Sequence, residues 1–306
     1  MEIPDNTNRR KHQVSIFDLV NLTPLVEIST GKPGIMLGLV DGPVAMDHPD
    51  LAGGSIRELK ATGGSPCTRV NSTACLHGTF VAGILSARRS SVAPAICPGC
   101  TLLVRPLFSE TLSRDGQIPS ARPAELATAI IECVEAGTRV INLSLALAQP
   151  STKGERALED ALDHAAHSGV IVVAAAGNQG LLGSTAITRH PWVIPVVACD
   201  LRGKPTEMSN LGRSIGQRGL AAPGERITSL GAAGRPLTLG GTSAAAPFVT
   251  GAIGLLWSEF PNASAASIRL AITRAASNHR TTVVPALLNA WRAHQYLLTT
   301  TGRKLA

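Results

Sequence analysis

The chain has 306 residues, of which 44% are hydrophobic, 16% charged and 3% aromatic, and its formal charge is +7. That much apolar surface supports a substantial core and excludes a disordered chain. The basic residues are scattered, with runs no longer than Arg9-Arg10-Lys11 and Arg88-Arg89, and five Phe, three Trp and one Tyr are too few to stack bases, so nucleic acid is not an expected partner.

Residues 1–13 are polar and contain no apolar signal-peptide core. No uninterrupted apolar run reaches the roughly 20 residues that span a bilayer. The expectation is a soluble cytoplasmic chain with no membrane partner. Residues 1–14 read as a flexible arm. Residues 15–26 place Ile16, Phe17, Leu19, Val20 and Leu22 at helical spacing, interrupted by Pro24, which predicts a short helix and turn on the main body. Residues 35–40 are almost wholly apolar and end at Asp41, the pattern of a buried parallel strand. The run from Cys75 to Ile84 predicts a helix entering the core with His77 at its start.

Further strands are predicted over 102–107, 139–145, 170–175 and 192–198, with helices over 125–136 and 155–167. A last, apolar helix follows the small residues Gly240 to Pro247. Alternating strands and helices predict an α/β fold, a mainly parallel sheet with helices on both faces. No repeat or linker divides it. The expected organisation is an arm and short helix over 1–30 and a single domain over 31–306. The Pro/Gly/Ser-rich segments 53–66, 88–100, 108–123 and 200–225 are candidate substrate-contacting loops.

Four residues sit where these elements begin or end. Asp41 closes a strand, the ordinary place for a turn or capping aspartate. A lone histidine such as His77 is more often structural than catalytic. Asn178 closes Val172 to Asn178, where asparagine favours a left-handed turn. Ser243 stands at a helix mouth lined by small residues, with backbone N–H groups pointing outward and a dipole that favours negative charge. Taken alone, a Gly-Thr-Ser turn of this kind also reads as a plain cap.

Together they are more specific. The order Asp, His, Ser at element boundaries of a parallel α/β chain resembles the subtilisin family. The matching strings are GLVDGPVAMDHPDL, HGTFVAGIL, VINLSLA, VVAAAGNQG and GTSAAAPFVTGAIGLL. The resemblance implies a three-layer subtilisin-like fold and a serine endopeptidase acting through an acyl-enzyme. It implies Ser243 as nucleophile, His77 as general base and acid, Asp41 as the group orienting His77, and Asn178 as oxyanion donor beside the Ser243 N–H. It also implies that the strand Ile141 to Ala146 pairs with substrate backbone and ends in Ser144, Leu145 and Ala146. With Ala175, Ala176 and Gly177 opposite, they would wall a pocket for apolar or uncharged side chains.

The family usually has Asp-Ser-Gly or Asp-Thr-Gly at the aspartate, and here the run is Asp41-Gly42-Pro43. With LTPLVEISTGKPGIMLG and CPGCTLLVRPLF, this resembles the branch that matures cyanobactin-type and other ribosomally made peptides, which implies a precursor or leader peptide as substrate. A macrocyclase on the same scaffold is the alternative, although residues 63–74 are short for the insertion such enzymes carry. A catalytically silent peptide-binding relative is the other. The short stretch between His77 and Val92 lacks the six to eight oxygens calcium wants, so no metal and no cofactor are expected. Asp47 and Asp50 read as turn aspartates, and His164 and His167 as part of a solvated helix face. Of the six cysteines, Cys133 and Cys199 lie in apolar runs and read as inert core residues. Cys67, Cys75, Cys97 and Cys100 are compatible with two disulfides, free thiols or a zinc site, for which Cys97-x-x-Cys100 has suitable spacing and Cys67/Cys75 does not.

Overall fold

The runs 36–41, 101–106, 140–143, 171–175 and 194–199 have no exposed face, so each must be covered twice. The computed structural model describes residues 15–59, 66–108, 110, 121–145, 155–276 and 282–301. In chain order the elements are α1 (Ile16–Leu19), α2 (Thr23–Ile28), β1 (Met36–Asp41), β2 (Ile56–Glu58), α3 (Thr73–Ser86), β3 (Thr101–Pro106), α4 (Pro123–Glu135), β4 (Val140–Leu143), α5 (Arg156–His167) and β5 (Ile171–Ala175). There follow α6 (Ala186–Arg189), β6 (Ile194–Cys199), α7 (Arg213–Arg218), β7 (Leu220–Pro223), β8 (Ile227–Ser229), β9 (Leu237–Leu239), α8 (Thr242–Glu259), α9 (Ala265–Arg274), β10 (Ala286–Leu287) and α10 (Ala290–Thr301).

Eight strands form one sheet in the order β10-β7-β6-β5-β4-β1-β3-β2, with every neighbouring pair parallel. β8 and β9 make a separate antiparallel hairpin. Period-two alternation divides the strand side chains between two cores. Leu37, Leu39, Val140, Ile171 and Val173 pack with Phe80 and Ile84 of α3 and Phe248 and Leu255 of α8. Val40, Ile141, Leu143, Val172 and Ala174 pack instead with Leu126 and Ile130 of α4 and Leu158 and Leu162 of α5. This is the expected three-layer α/β architecture with a parallel sheet.

α8 is buried on nearly all sides, which is why its sequence is apolar all round. Glycine permits the close approach: a Cβ at Gly251 would lie 2.6 Å from Ile96, and one at Gly254 would lie 2.8 Å from the Cys97 sulfur. The short N-terminal helices join the same core. Val20, Leu22 and Leu25 are buried, and the Phe17 and Phe248 rings meet edge-on at 6.3 Å. No described helix is long and apolar enough to cross a membrane.

The strand expected over 139–145 stops at Leu143. The next residue, Ser144, makes side-chain hydrogen bonds to Asn142 and to the Ser243 carbonyl. The expected helix at 125–136 begins earlier, at Pro123, where the Arg122 N–H donates to the Glu125 carboxylate at 2.8 Å and starts the first turn.

Candidate active site

The chain leaves β1 toward β3 and β2 on one side and toward β4 and β5 on the other. Parallel sheets open a crevice at such a reversal, outside the strand C-termini. Register brings three ends into one row there: Val40 is level with Leu143, and Leu143 with Ala174, so Asp41, Ser144 and Ala175 are neighbours.

Asp41 is fully buried. One carboxylate oxygen, Oδ1, accepts from His77 Nδ1 at 2.7 Å and from the Gly42 N–H at 2.6 Å. The other, Oδ2, is buried with no hydrogen-bond partner among the described residues. Backbone contact produces this geometry. A Cβ at Gly42 would overlap the Ala74 carbonyl, and one at Gly78 would overlap the Gly42 carbonyl. Only glycines let α3 press on the turn after β1. The hydroxyl found at this position in the wider family therefore has no room here.

His77 is 27% exposed on its side chain. Burial pulls its pKa down, and the Asp41 charge and hydrogen bond together outweigh that, so the value stands above the ordinary one. With Nδ1 committed to Asp41, Nε2 is the ring atom left for a reacting group.

The segment before α3 is held twice. A disulfide joins Cys67 to Cys75, two residues ahead of His77, with Cα atoms 5.6 Å apart. The Glu110 carboxylate accepts from Thr68 N at 2.9 Å, Arg69 N at 3.0 Å and Ser72 Oγ at 3.2 Å. Burial alone would raise the Glu110 pKa, and these donors hold it below its ordinary value. Cys67, Cys75 and Glu110 cluster tightly enough to suggest a metal, but the sulfurs are bonded to each other and the carboxylate is occupied. Cys97 and Cys100 are buried free thiols, so the four cysteines form neither two disulfides nor a four-sulfur site. Burial pushes the Cys133 and Cys199 thiols up to about 12.

Ser243 is the second residue of α8. The first-turn N–H groups have different fates. Thr242 N donates to Asn178 Oδ1 at 2.8 Å, and Ala244 N and Ala245 N donate to the Gly241 carbonyl at 3.1 and 3.3 Å. The Ser243 N–H has no acceptor among the described residues. Asn178 is oriented unambiguously: an N–H can only donate, so the amide oxygen faces Thr242 and Nδ2 points away, also without an acceptor among the described residues. Gly241 adopts φ +117°, and a Cβ there would lie 2.8 Å from Asn178 Nδ2.

Two residues not singled out in the sequence hold this arrangement. The Thr242 hydroxyl donates to Asn178 Oδ1 at 3.0 Å and accepts from the Gly177 N–H at 3.1 Å. Buried Asn210 accepts from Gln179 N and Leu181 N at 3.1 and 3.0 Å and donates to the Ala176 carbonyl at 3.3 Å. Thr242 adjoins the serine and was legible as part of its string. Asn210 carries no sequence signal of its role.

Ser144, Ala175, Ala176 and Gly177 are buried, and Leu145 is partly exposed. Ala146 lies outside the described residues. The structure joins Asp41 to His77 directly, Asn178 to the turn bearing Ser243, and Ser144 to the Ser243 carbonyl. α3 and α8 pack side by side, but no hydrogen bond joins the Ser243 hydroxyl to His77. Such contacts commonly tighten only when substrate is bound.

Residues 32–292 match the subtilase family. Thermitase of Thermoactinomyces vulgaris is 32% identical over 278 residues, covering 88% of this chain and 91% of thermitase. A thermostable alkaline protease of Halalkalibacterium halodurans is 31% identical over 247 residues, 80% of this chain but 62% of that protein. Among solved structures, a mutant of the PatA protease domain superposes with TM-score 0.81 at 30% identity, covering 89% of this chain and 97% of that one. The prenylagaramide maturation protease PagA superposes with TM-score 0.79 at 26% identity, covering 90% and 98%. Sequence, fold and crevice agree on one conclusion: the chain belongs to the subtilase family and is a serine endopeptidase of the subtilisin type.

Proposed function

We propose that the chain hydrolyses peptide bonds of a precursor or leader peptide through an acyl-enzyme on Ser243. The observation that carries this is the Asp41–His77 pair at 2.7 Å, with His77 on a helix that packs against α8, whose Ser243 N–H, like Asn178 Nδ2, is without an acceptor among the described residues. His77 Nε2 removes the Ser243 proton as Oγ bonds to the scissile carbonyl carbon. The carbonyl oxygen becomes an oxyanion facing the two unoccupied donors. His77 then gives its proton to the leaving amine, and the C–N bond breaks. Water, deprotonated by the same nitrogen, releases the acid and restores Ser243. Asp41 holds the ring in the tautomer that leaves Nε2 unprotonated.

Backbone pairing along residues 144–146 would grip the peptide with little regard to sequence. Ala175, Ala176 and Gly177 opposite would leave room for an apolar or uncharged side chain. The maturation role is supported by the likeness to PatA and PagA and by the Asp-Gly-Pro run at the aspartate. A fluorophosphonate should label Ser243 alone, and Ser243→Ala should abolish both labelling and cleavage. Retained cleavage by that variant sinks the mechanism. Product masses separate the outcomes: hydrolysis adds one water to the fragments, and cyclisation does not.

A further inference from the structure

We propose that Asn142 and Thr250 are positioning residues for Ser243, acting through Ser144 in a one-way hydrogen-bond relay that ties the substrate-pairing strand end to the nucleophile's helix. This rests on the reading of Ser243 as nucleophile.

The need for the relay arises at Pro247. In a helix the carbonyl of Ser243 would accept from the N–H four residues later, and Pro247 has none. The Ser144 hydroxyl replaces it, donating to the Ser243 carbonyl at 3.0 Å. That carbonyl can only accept, so the single Ser144 proton is committed to it. Ser144 Oγ must then receive from its other neighbour, and it accepts from Asn142 Nδ2 at 2.6 Å. This choice fixes the amide, leaving Asn142 Oδ1 to accept from Thr250 Oγ1 at 2.8 Å. Every proton in the chain points toward Ser243.

The relay is inside the core. Asn142 and Thr250 are 0% exposed and Ser144 is 4% exposed. Asn142 lies on the face of β4 that packs against α8, where Val140 is its apolar neighbour. A buried amide there is tolerable only if both ends are satisfied. Thr250 lies seven residues after Ser243, two helical turns on and on the same face. One strand end therefore grips α8 at two points. This sets the depth of Ser243 against Ser144 and Leu145, part of the edge proposed to hold the scissile bond. Displacement of about 1 Å at such a centre can lower rate by roughly a hundredfold.

The test compares Thr250→Val, which keeps shape and removes the donor, with Thr250→Ser, which restores it. The readouts are kcat and KM on a cleaved peptide, the rate of fluorophosphonate labelling at Ser243, and Tm. The relay predicts that Thr250→Val lowers kcat and the labelling rate about tenfold with KM within about twofold, and that Thr250→Ser recovers both. If Thr250→Val does not fold, Asn142→Leu, which replaces the amide by an apolar side chain, is read the same way. Wild-type kcat and labelling in the folded variant, whatever its Tm, overturn the relay, as does a change confined to KM. Absence of Ser243 labelling in the wild type overturns the nucleophile assignment itself, and the relay with it.

Discussion

Asp41 and His77 share a 2.7 Å hydrogen bond on one carboxylate oxygen, while the second oxygen of the same buried carboxylate has no partner among the described residues. The aspartate thus acts on the imidazole through a single atom, with the Gly42 N–H as its other donor.

This pair predicts opposite pH trends for activity and stability. His77 titrates above its ordinary value, because the Asp41 charge and hydrogen bond outweigh burial. The general-base role proposed for His77 needs the neutral ring, so kcat/KM should rise with pH through that raised pKa. Stability runs the other way. A raised folded-state pKa contributes stability that is fully present below the unfolded value, roughly 6.5. It is lost as pH rises through the folded value. In Asp41→Asn the activity limb should move to lower pH and turnover should fall about ten-thousand-fold, the order of loss for that exchange in a Ser-His-Asp triad. Rate profiles and calorimetric scans across the same pH range check both signs, and an unmoved limb in the variant counts against the pairing.

Gly42→Ser should not rescue the lone carboxylate oxygen, although serine is common here in the family. Its Cβ would overlap the Ala74 carbonyl, so α3 must shift and carry His77 with it. Overpacking of this kind destabilises by about 1–3 kcal/mol. Chemical denaturation and kcat should both show a loss, and a variant as stable and active as wild type would contradict the close approach.

The Cys67–Cys75 bridge closes a short loop at the base of the His77 helix. Chain-entropy arguments give such a loop about 2–3 kcal/mol. Reduction should lower Tm and turnover together. A thiol titration of the denatured, unreduced protein should count four thiols, from Cys97, Cys100, Cys133 and Cys199. Six would show that the bridge is absent.

Asn178→Ala should lower kcat with little change in KM, since the oxyanion forms only on the way to the transition state. Removing the corresponding asparagine donor of subtilisin costs about 100- to 1000-fold in kcat, and a loss of the same order is expected here. Thr242→Val should give a smaller loss, because it removes one of the two bonds orienting the amide. If KM rises while kcat holds, Asn178 binds substrate in the ground state instead.

Much of the scaffold was legible because it is written locally. Apolar runs with no polar face declared β1, β3, β4, β5 and β6, and the small residues around Ser243 declared a helix that meets its neighbours closely. The missing hydroxyl after Asp41 was equally visible. The short strands β2, β7 and β10 were not: β2 and β7 lie inside segments 53–66 and 200–225, whose Pro/Gly/Ser content reads as loop, and β10 has only two residues. The anchoring of the segment ahead of His77 depends on Glu110 reaching Thr68 across 42 positions, which no local pattern encodes.

Composition and periodicity by themselves determined a parallel α/β chain, and its strings pointed to the four residues proposed for the site. Side-chain period is a property of neighbouring residues, so it survives in the linear chain. Tertiary structure alone decided why residue 42 must be glycine, which cysteines pair, and how the Ser243 carbonyl recovers the hydrogen bond that Pro247 removes. Those are contacts between segments far apart in the chain: Asn142 meets Thr250 across 108 positions. They exist only once close packing has fixed where each backbone can go.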